Sequence, residues 1–152
     1  MQYGNFRYAT FGDLDGQYDT SSYGYTYNDE ETGVAPRVGE VDVYKVNHHG
    51  SEHSSNEFFV KTLSPQVSVI SCGEDNSYGH PDQITLNKLL PISQVYLTEK
   101  GNPSASYENA IISNGDVDIH VAVGGKTFTV TTATGGTQKF TSKGATAPVC
   151  TL

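Results

Sequence analysis

The chain of 152 residues has the length of one domain or of part of a larger one. Its 9 Lys and Arg stand against 17 Asp and Glu, a formal net charge of −8. This excludes broad, non-specific attraction of the segment alone to a nucleic-acid backbone, although bound divalent cations would reverse the sign locally.

Only 17% of the residues are charged, while 16 are Gly and 10 are Tyr. That bias is expected of an exported, extracellular protein. No apolar run is long enough to span a membrane, and no basic-then-apolar leader opens the chain, so a secretion signal would lie upstream. Tyr3 to Phe11 alternates aromatic with small or polar residues and predicts a strand running into Gly12-Asp13. Gln17 to Arg37 is polar, Tyr-rich and without helical period, which predicts a long surface loop. Val41 to Val46 is a short strand that ends at Asn47-His48-His49-Gly50. A helix follows, capped by Ser54 or Ser55, with Glu57 in its first turn and Phe58, Phe59 and Leu63 as its apolar stripe. Ser64-Pro65 stops it.

Val67 to Cys72 has the continuous small apolar pattern of a buried strand. Cys72 suits the core, and a disulfide to Cys150 would require an oxidising compartment. Gly73 to His80 is a polar loop. Pro81 opens another helix, with Asp82 in its first turn and Ile84, Leu86, Leu89 and Leu90 facing inward. Gln94 to Thr98 is a further strand. Strand and helix alternate, which predicts an α/β fold with a parallel layer whose working groups gather beyond the carboxyl ends of its strands. Asn109 to Asn114, Val117 to Val123 and Lys126 to Thr132 alternate around Gly115-Asp116 and Gly124-Gly125, the pattern of antiparallel hairpins. The tail from Gly135 to Leu152 is an edge strand or an irregular end.

Four of the five histidines fall in three segments that the pattern places at strand ends. Asp13 follows a strand and a glycine, and its two carboxylate oxygens can each take a metal ion; Asp15-Gly16 also favours a plain turn. His48 and His49 are adjacent, and neighbouring side chains in an extended segment point oppositely, so one can face a metal and the other a substrate oxygen. Gly50 allows close backbone approach, Ser51 can donate to an anion, and the amino end of the next helix adds partial positive charge. His80 sits between Gly79 and Pro81, which fixes its backbone; that suits a ligand and suits a plain helix start equally. Tyr78 can line the cleft. His53 reads as an exposed or capping side chain, and His120 as solvent-facing on an alternating strand.

Gly12-Asp13, then Val41 to Ser51, then Ser71 to Pro81, resemble the second half of a metallo-β-lactamase-fold hydrolase. The nearest resemblance is to the ComEC-type competence domain and to secreted phosphorylcholine esterases, over Phe6 to Gly101. The resemblance implies an αββα sandwich, of which residues 1–101 form the C-terminal half and 102–152 a hairpin-rich extension. It implies a centre of two divalent ions, zinc or manganese, with Asp13 bridging and His80, or one of His48 and His49, as the last imidazole ligand, His80 being favoured. His48, Ser51 and Tyr78 would meet the substrate, and His48, His49 and Ser51 would carry the chemistry on a phosphodiester or phosphomonoester. The family's principal ligand motif, His-X-His-X-Asp-His, stands N-terminal to the Gly-Asp and does not occur in this chain. The missing half or a second chain is therefore an expected partner, and the isolated half is expected to be catalytically incomplete. A rival expectation is a non-catalytic module that self-associates or pairs with another chain through exposed sheet edges. Lactam hydrolysis is a weaker third.

Overall fold

A computed structural model describes residues 1–20, 22 and 24–144. The fold is mixed α/β. Its main sheet has six strands: β1 (Gln2–Tyr3), β2 (Phe6–Ala9), β5 (Val43–Lys45), β6 (Val67–Ile70), β7 (Gln94–Leu97) and β8 (Ile111–Ile112), side by side in that order. From β2 to β8 every neighbouring pair is parallel, and only β1 runs antiparallel. Helices α1 (Glu31–Val38), α2 (Glu57–Leu63) and α3 (Gln83–Leu89) make the successive crossovers. β3 (Asp19–Thr20) and β4 (Thr26–Tyr27) form a small hairpin, and β9 (Val117–Val121), β10 (Thr127–Thr132) and β11 (Thr137–Thr141) a separate antiparallel sheet.

The central strands are buried on both faces, as parallel strands covered on either side require. Tyr44, Ile70, Val95 and Leu97 meet Ala35 of α1, Phe59, Val60 and Leu63 of α2, and Leu86 and Leu89 of α3. On the other face Phe6, Val43, Val67 and Tyr96 meet Phe128 and Val130 of β10. Successive residues such as Val43 and Tyr44 enter opposite cores, the period of two that a strand imposes. The result is a helical layer, a six-stranded sheet and a three-stranded sheet. No helix of the described residues is long and apolar enough to cross a membrane.

Several elements differ from the sequence expectation. The first strand is broken at Gly4-Asn5 into a tight hairpin; Gly4 has φ +56°, and a Cβ there would stand 2.2 Å from the Gly124 carbonyl oxygen. The expected loop from Gln17 to Arg37 contains both the β3–β4 hairpin and α1. The caps of α2 and α3 are Asn56 and Asp82, accepting from Phe59 N and Ile84 N, so both helices begin later than expected. Phe58 and Ile84 accordingly face solvent at 50% and 51% exposure, while Val60 and Thr85 turn inward. Ile111 and Ile112 extend the parallel sheet beside Tyr96 and Leu97 instead of forming a hairpin. His120 is exposed, as expected. Cys72 donates to the Glu99 carbonyl oxygen at 3.0 Å, and the pairing considered with Cys150 lies outside the described residues.

Candidate functional site

The loops beyond the carboxyl ends of β2, β5 and β6 bring the three sequence segments together. After β5 the chain turns through a 3₁₀ segment, Asn47–Gly50, in which His48 (φ 47°, ψ 41°) and His49 (φ 54°, ψ 19°) both take left-handed backbone. Two successive left-handed residues bearing side chains are strained and persist only where the surroundings hold them. Here His48 N donates to Gly12 O at 2.9 Å, Ser51 N to His48 O at 2.9 Å, and Asp82 N to Gly50 O at 2.8 Å. A Cβ on Gly50 would lie 2.7 Å from Pro81 Cβ, so the residue after the histidines is glycine by contact as well as by its φ of +86°. The His80–Pro81 peptide is cis. Asn76 pins the loop that leads to it, accepting from His80 N at 3.0 Å and donating to His80 O at 2.8 Å.

The two adjacent imidazoles part company, each toward its own aspartate. His48 Nδ1 lies 3.3 Å from Asp15 Oδ1. His49 Nδ1 lies 2.7 Å from the Ser71 carbonyl oxygen, an acceptor only, so this nitrogen carries the proton and donates. In the neutral ring Nε2 then keeps its lone pair, and it stands 4.0 Å from Asp13 Oδ1. A second hydrogen bond that fixes the tautomer and aim of an imidazole is the arrangement found around metal-ligating histidines. His80 lies edge-on to His48 with ring centroids 5.6 Å apart, and Tyr78, 82% exposed, stacks over His80 at 6.0 Å. Burial chiefly, and then the neighbouring His48 and His49, hold the His80 pKa below its ordinary value, which keeps this ring neutral and able to accept or coordinate.

These groups line two adjoining hollows. A cleft of about 370 Å³ is bordered by His48, Ser51, His53, Tyr78, His80 and Asp82. A smaller hollow of about 220 Å³ is bordered by His49, Cys72, Asn76, Tyr78 and His80. Every site residue expected from the sequence, apart from Asp13, borders one hollow or both; Asp13 approaches through its contact with His49. Ser51 is almost fully buried, and its oxygen accepts from His53 N at 3.3 Å. Its own hydroxyl proton is left to donate.

Four contributors escaped the sequence reading. Asp15, read as a turn residue, is the carboxylate of His48. His53 is part of the cleft wall, stacked on Tyr27 at 4.0 Å and flanked by Asp19 and Glu52. Asn76 and the wholly buried Glu31 act from behind. Glu31 accepts from Asn47 Nδ2, Ser55 N and Asn56 N at 2.7, 2.7 and 2.6 Å. Burial nonetheless outweighs those bonds, and its pKa stands above the ordinary value. Only a tertiary partner could have revealed it, since no local motif sets it apart from the adjacent Glu30.

Asp13 and His49 bring two possible donors within 4.0 Å of each other. Among the described residues no group of three His, Cys, Asp or Glu side chains is arranged to hold an ion. A closed metal centre takes three or four protein ligands. The donors described here therefore do not build the expected two-ion centre by themselves.

The chain is 38% identical over 78 residues to ComE operon protein 3 of Bacillus subtilis, a stretch covering 51% of this chain and 10% of that protein. It is 34% identical over 55 residues to Recombination protein 2 of Haemophilus influenzae, covering 36% of this chain and 7% of the relative. It is 36% identical over 62 residues to Competence protein ComA of Neisseria gonorrhoeae, covering 40% and 9%. The matches thus span a tenth or less of the length of these relatives. No protein-family model and no solved structure matches the chain. The similarity of this chain is to competence-related, ComEC-type proteins, over about half of its residues.

Proposed function

We propose that this chain forms one wall of a site that hydrolyses phosphoester bonds, a phosphodiester or a phosphomonoester, within a competence-type protein. The observation that carries the reading is the divergence of His48 and His49: one strained turn sends one imidazole to Asp15 and the next to Asp13. His49 and Asp13 offer metal donors. In this reading further donors, from a preceding segment or a second chain, complete a centre of two divalent ions, zinc or manganese, with His80 close by.

The residues of this chain have separable tasks. His48, its Nδ1 tied to Asp15, presents its other ring nitrogen to a phosphoryl oxygen, and protonated it stabilises the negative charge that develops there. Ser51 adds a neutral donor from the floor of the cleft. Tyr78 covers His80 and excludes water from one side. An exported location follows from the composition and belongs to the same proposal.

The test is hydrolysis of bis(p-nitrophenyl) phosphate and p-nitrophenyl phosphate, with zinc or manganese added, by the polypeptide that carries this segment. Asp13→Ala and His48→Ala should each lower kcat/KM by about 10²–10³, the range for removing one transition-state contact, with the circular dichroism spectrum retained. Unchanged kcat/KM in either folded variant would remove its residue from the chemistry. Large metal-free assemblies without hydrolysis would favour the non-catalytic module instead.

A further inference from the structure

We propose that Glu31 is the positioning residue of this cleft, its one buried carboxylate clamping both ends of the segment 47–56 that carries His48, His49, Ser51 and His53. The inference rests on the hydrolytic reading above for its consequence, but not for its geometry. Glu31 is 0% exposed. At the near end of the segment its Oε1 accepts from Asn47 Nδ2, the side chain immediately before His48. At the far end Oε1 accepts from Ser55 N and Oε2 from Asn56 N. Its main chain reaches the third part of the site: Glu31 N donates to Asp15 O at 3.1 Å, and Asp15 holds His48.

The surroundings are shaped to this carboxylate. A Cβ on Gly16 would fall 2.1 Å from Glu31 Oε2, so the chain beside Asp15 is glycine where the carboxylate passes. Tyr44 closes the cluster from the sheet, its hydroxyl accepting from Asn47 N at 2.9 Å and lying 2.9 Å from Ser55 Oγ. Asn47 is wholly buried, yet its Oδ1 has no partner in the protein. Turning the amide over would set that oxygen against the Glu31 carboxylate, so the orientation is imposed by Glu31 at the expense of the amide's own satisfaction.

A purely structural position would be better served by an apolar side chain, because a buried charge is retained only where donors converge on it. Among the described residues no cation forms an ion pair with Glu31, although the charge of Lys88 acts on it from further off; all its side-chain hydrogen bonds go to the His-bearing segment. The two left-handed histidines need an external hold, and Glu31 provides it at both termini.

Four proteins test this: wild type, Glu31→Gln, Asn47→Ala and the double variant, with Glu30→Gln on the exposed neighbour as control. Glutamine keeps the volume but has one acceptor oxygen in place of two and sets an N–H against a backbone N–H at the far end, which weakens the clamp there; Asn47→Ala removes its near end. The first readout is the nuclear Overhauser contact between the His48 and His80 rings, which needs no activity. It should vanish or weaken strongly in both single variants and persist in Glu30→Gln. The second is hydrolysis of bis(p-nitrophenyl) phosphate, with zinc or manganese added, by the same variants in the polypeptide that carries this segment. Each single variant should lose about 10- to 100-fold in kcat with KM little changed, as misplacement of catalytic groups does, and the double variant should be no worse than the poorer single. Asn47→Ala keeps the question open to measurement if Glu31→Gln does not fold. A folded single variant with the ring contact intact overturns the proposal. An inactive wild type whose ring contact still depends on Glu31 overturns the hydrolytic reading and leaves the clamp standing.

Discussion

His48 and His49 diverge toward Asp15 and Asp13 from two successive left-handed residues, not from the extended segment expected of the sequence, and Gly50 extends the same turn with φ +86°. Gly50 is the most constrained of the three, since an added Cβ would press on Pro81 at 2.7 Å with Pro81 Cα at 3.2 Å. Gly50→Ala should destabilise the fold by about 2–3 kcal/mol, combining a left-handed alanine with overpacking against a backbone that cannot yield. Urea unfolding measures this, and a variant within about 0.5 kcal/mol of wild type, the range of an ordinary surface substitution, would refute the contact. His80 gives a second expectation. Its folded pKa lies below the ordinary 6.5, so the unfolded chain takes up this proton first as pH falls. Stability from the neutral ring is present above about pH 6.5 and is lost as pH drops through the depressed folded value. The urea midpoint of wild type should therefore fall more steeply between pH 7 and 5 than that of His80→Gln; equal slopes would contradict it. The residue types at these positions were legible in the sequence, because a His-His-Gly-Ser run between a buried strand and a helix is compositionally unusual. The pairing of His48 with Asp15 was not, since Asp15-Gly16 is also an ordinary turn signal and only the tertiary fold brings it beside the imidazole.

At the scale of elements, the crossover helices place the loops, and their caps tie them to the site. Asn56 caps α2 by accepting from Phe59 N at 2.8 Å, and its amide donates to Gly16 O at 3.0 Å and Asp29 Oδ1 at 3.1 Å. Asn56→Ala should lower stability by about 1–2 kcal/mol, the upper part of the range for a lost N-cap because the amide's tertiary bonds go too. A calorimetric scan reads this as a lower Tm, and an unchanged Tm would mean that α2 starts without this cap. The strands β5, β6 and β7 and the helices α2 and α3 were readable from periodicity, with starts displaced because Ser54 and Ser55 are equally good capping residues. Both are instead buried in the turn, Ser54 Oγ bonding Asn47 O at 3.0 Å. Helix α1 was unreadable for a different reason. It contains Gly33 and Pro36, both poor interior helix residues, and no apolar stripe long enough to stand out. It forms because Ala35 packs into the core and Glu31 finds its donors there. The helix that holds the site together is therefore the one that local propensity argues against.

At the scale of the whole molecule, the question is whether residues beyond about 101 fold as an extension or as part of one body. The sequence changes character there, from buried runs to alternating hairpins, and composition alone suggests a boundary. Physical contact crosses that boundary in two places. β8 continues the parallel sheet beside β7, and Phe128 of β10, 1% exposed, packs edge-on against Phe6 at 5.1 Å and flat against Phe140 at 5.0 Å. The second core is thus built from both parts and covers the face of the sheet opposite the helices. Phe128→Ala should cost about 3–5 kcal/mol, as the loss of a buried aromatic ring does. If the two sheets unfold together, a single urea transition shifts to lower midpoint, and circular dichroism and tyrosine fluorescence stay coincident. The alternative outcome is specific. Should the strand and helix signals of residues 1–101 keep their wild-type midpoint while only the hairpin region melts early, the three-stranded sheet is an independent appendage. The histidine-bearing wall then stands on the six-stranded sheet and its helices alone.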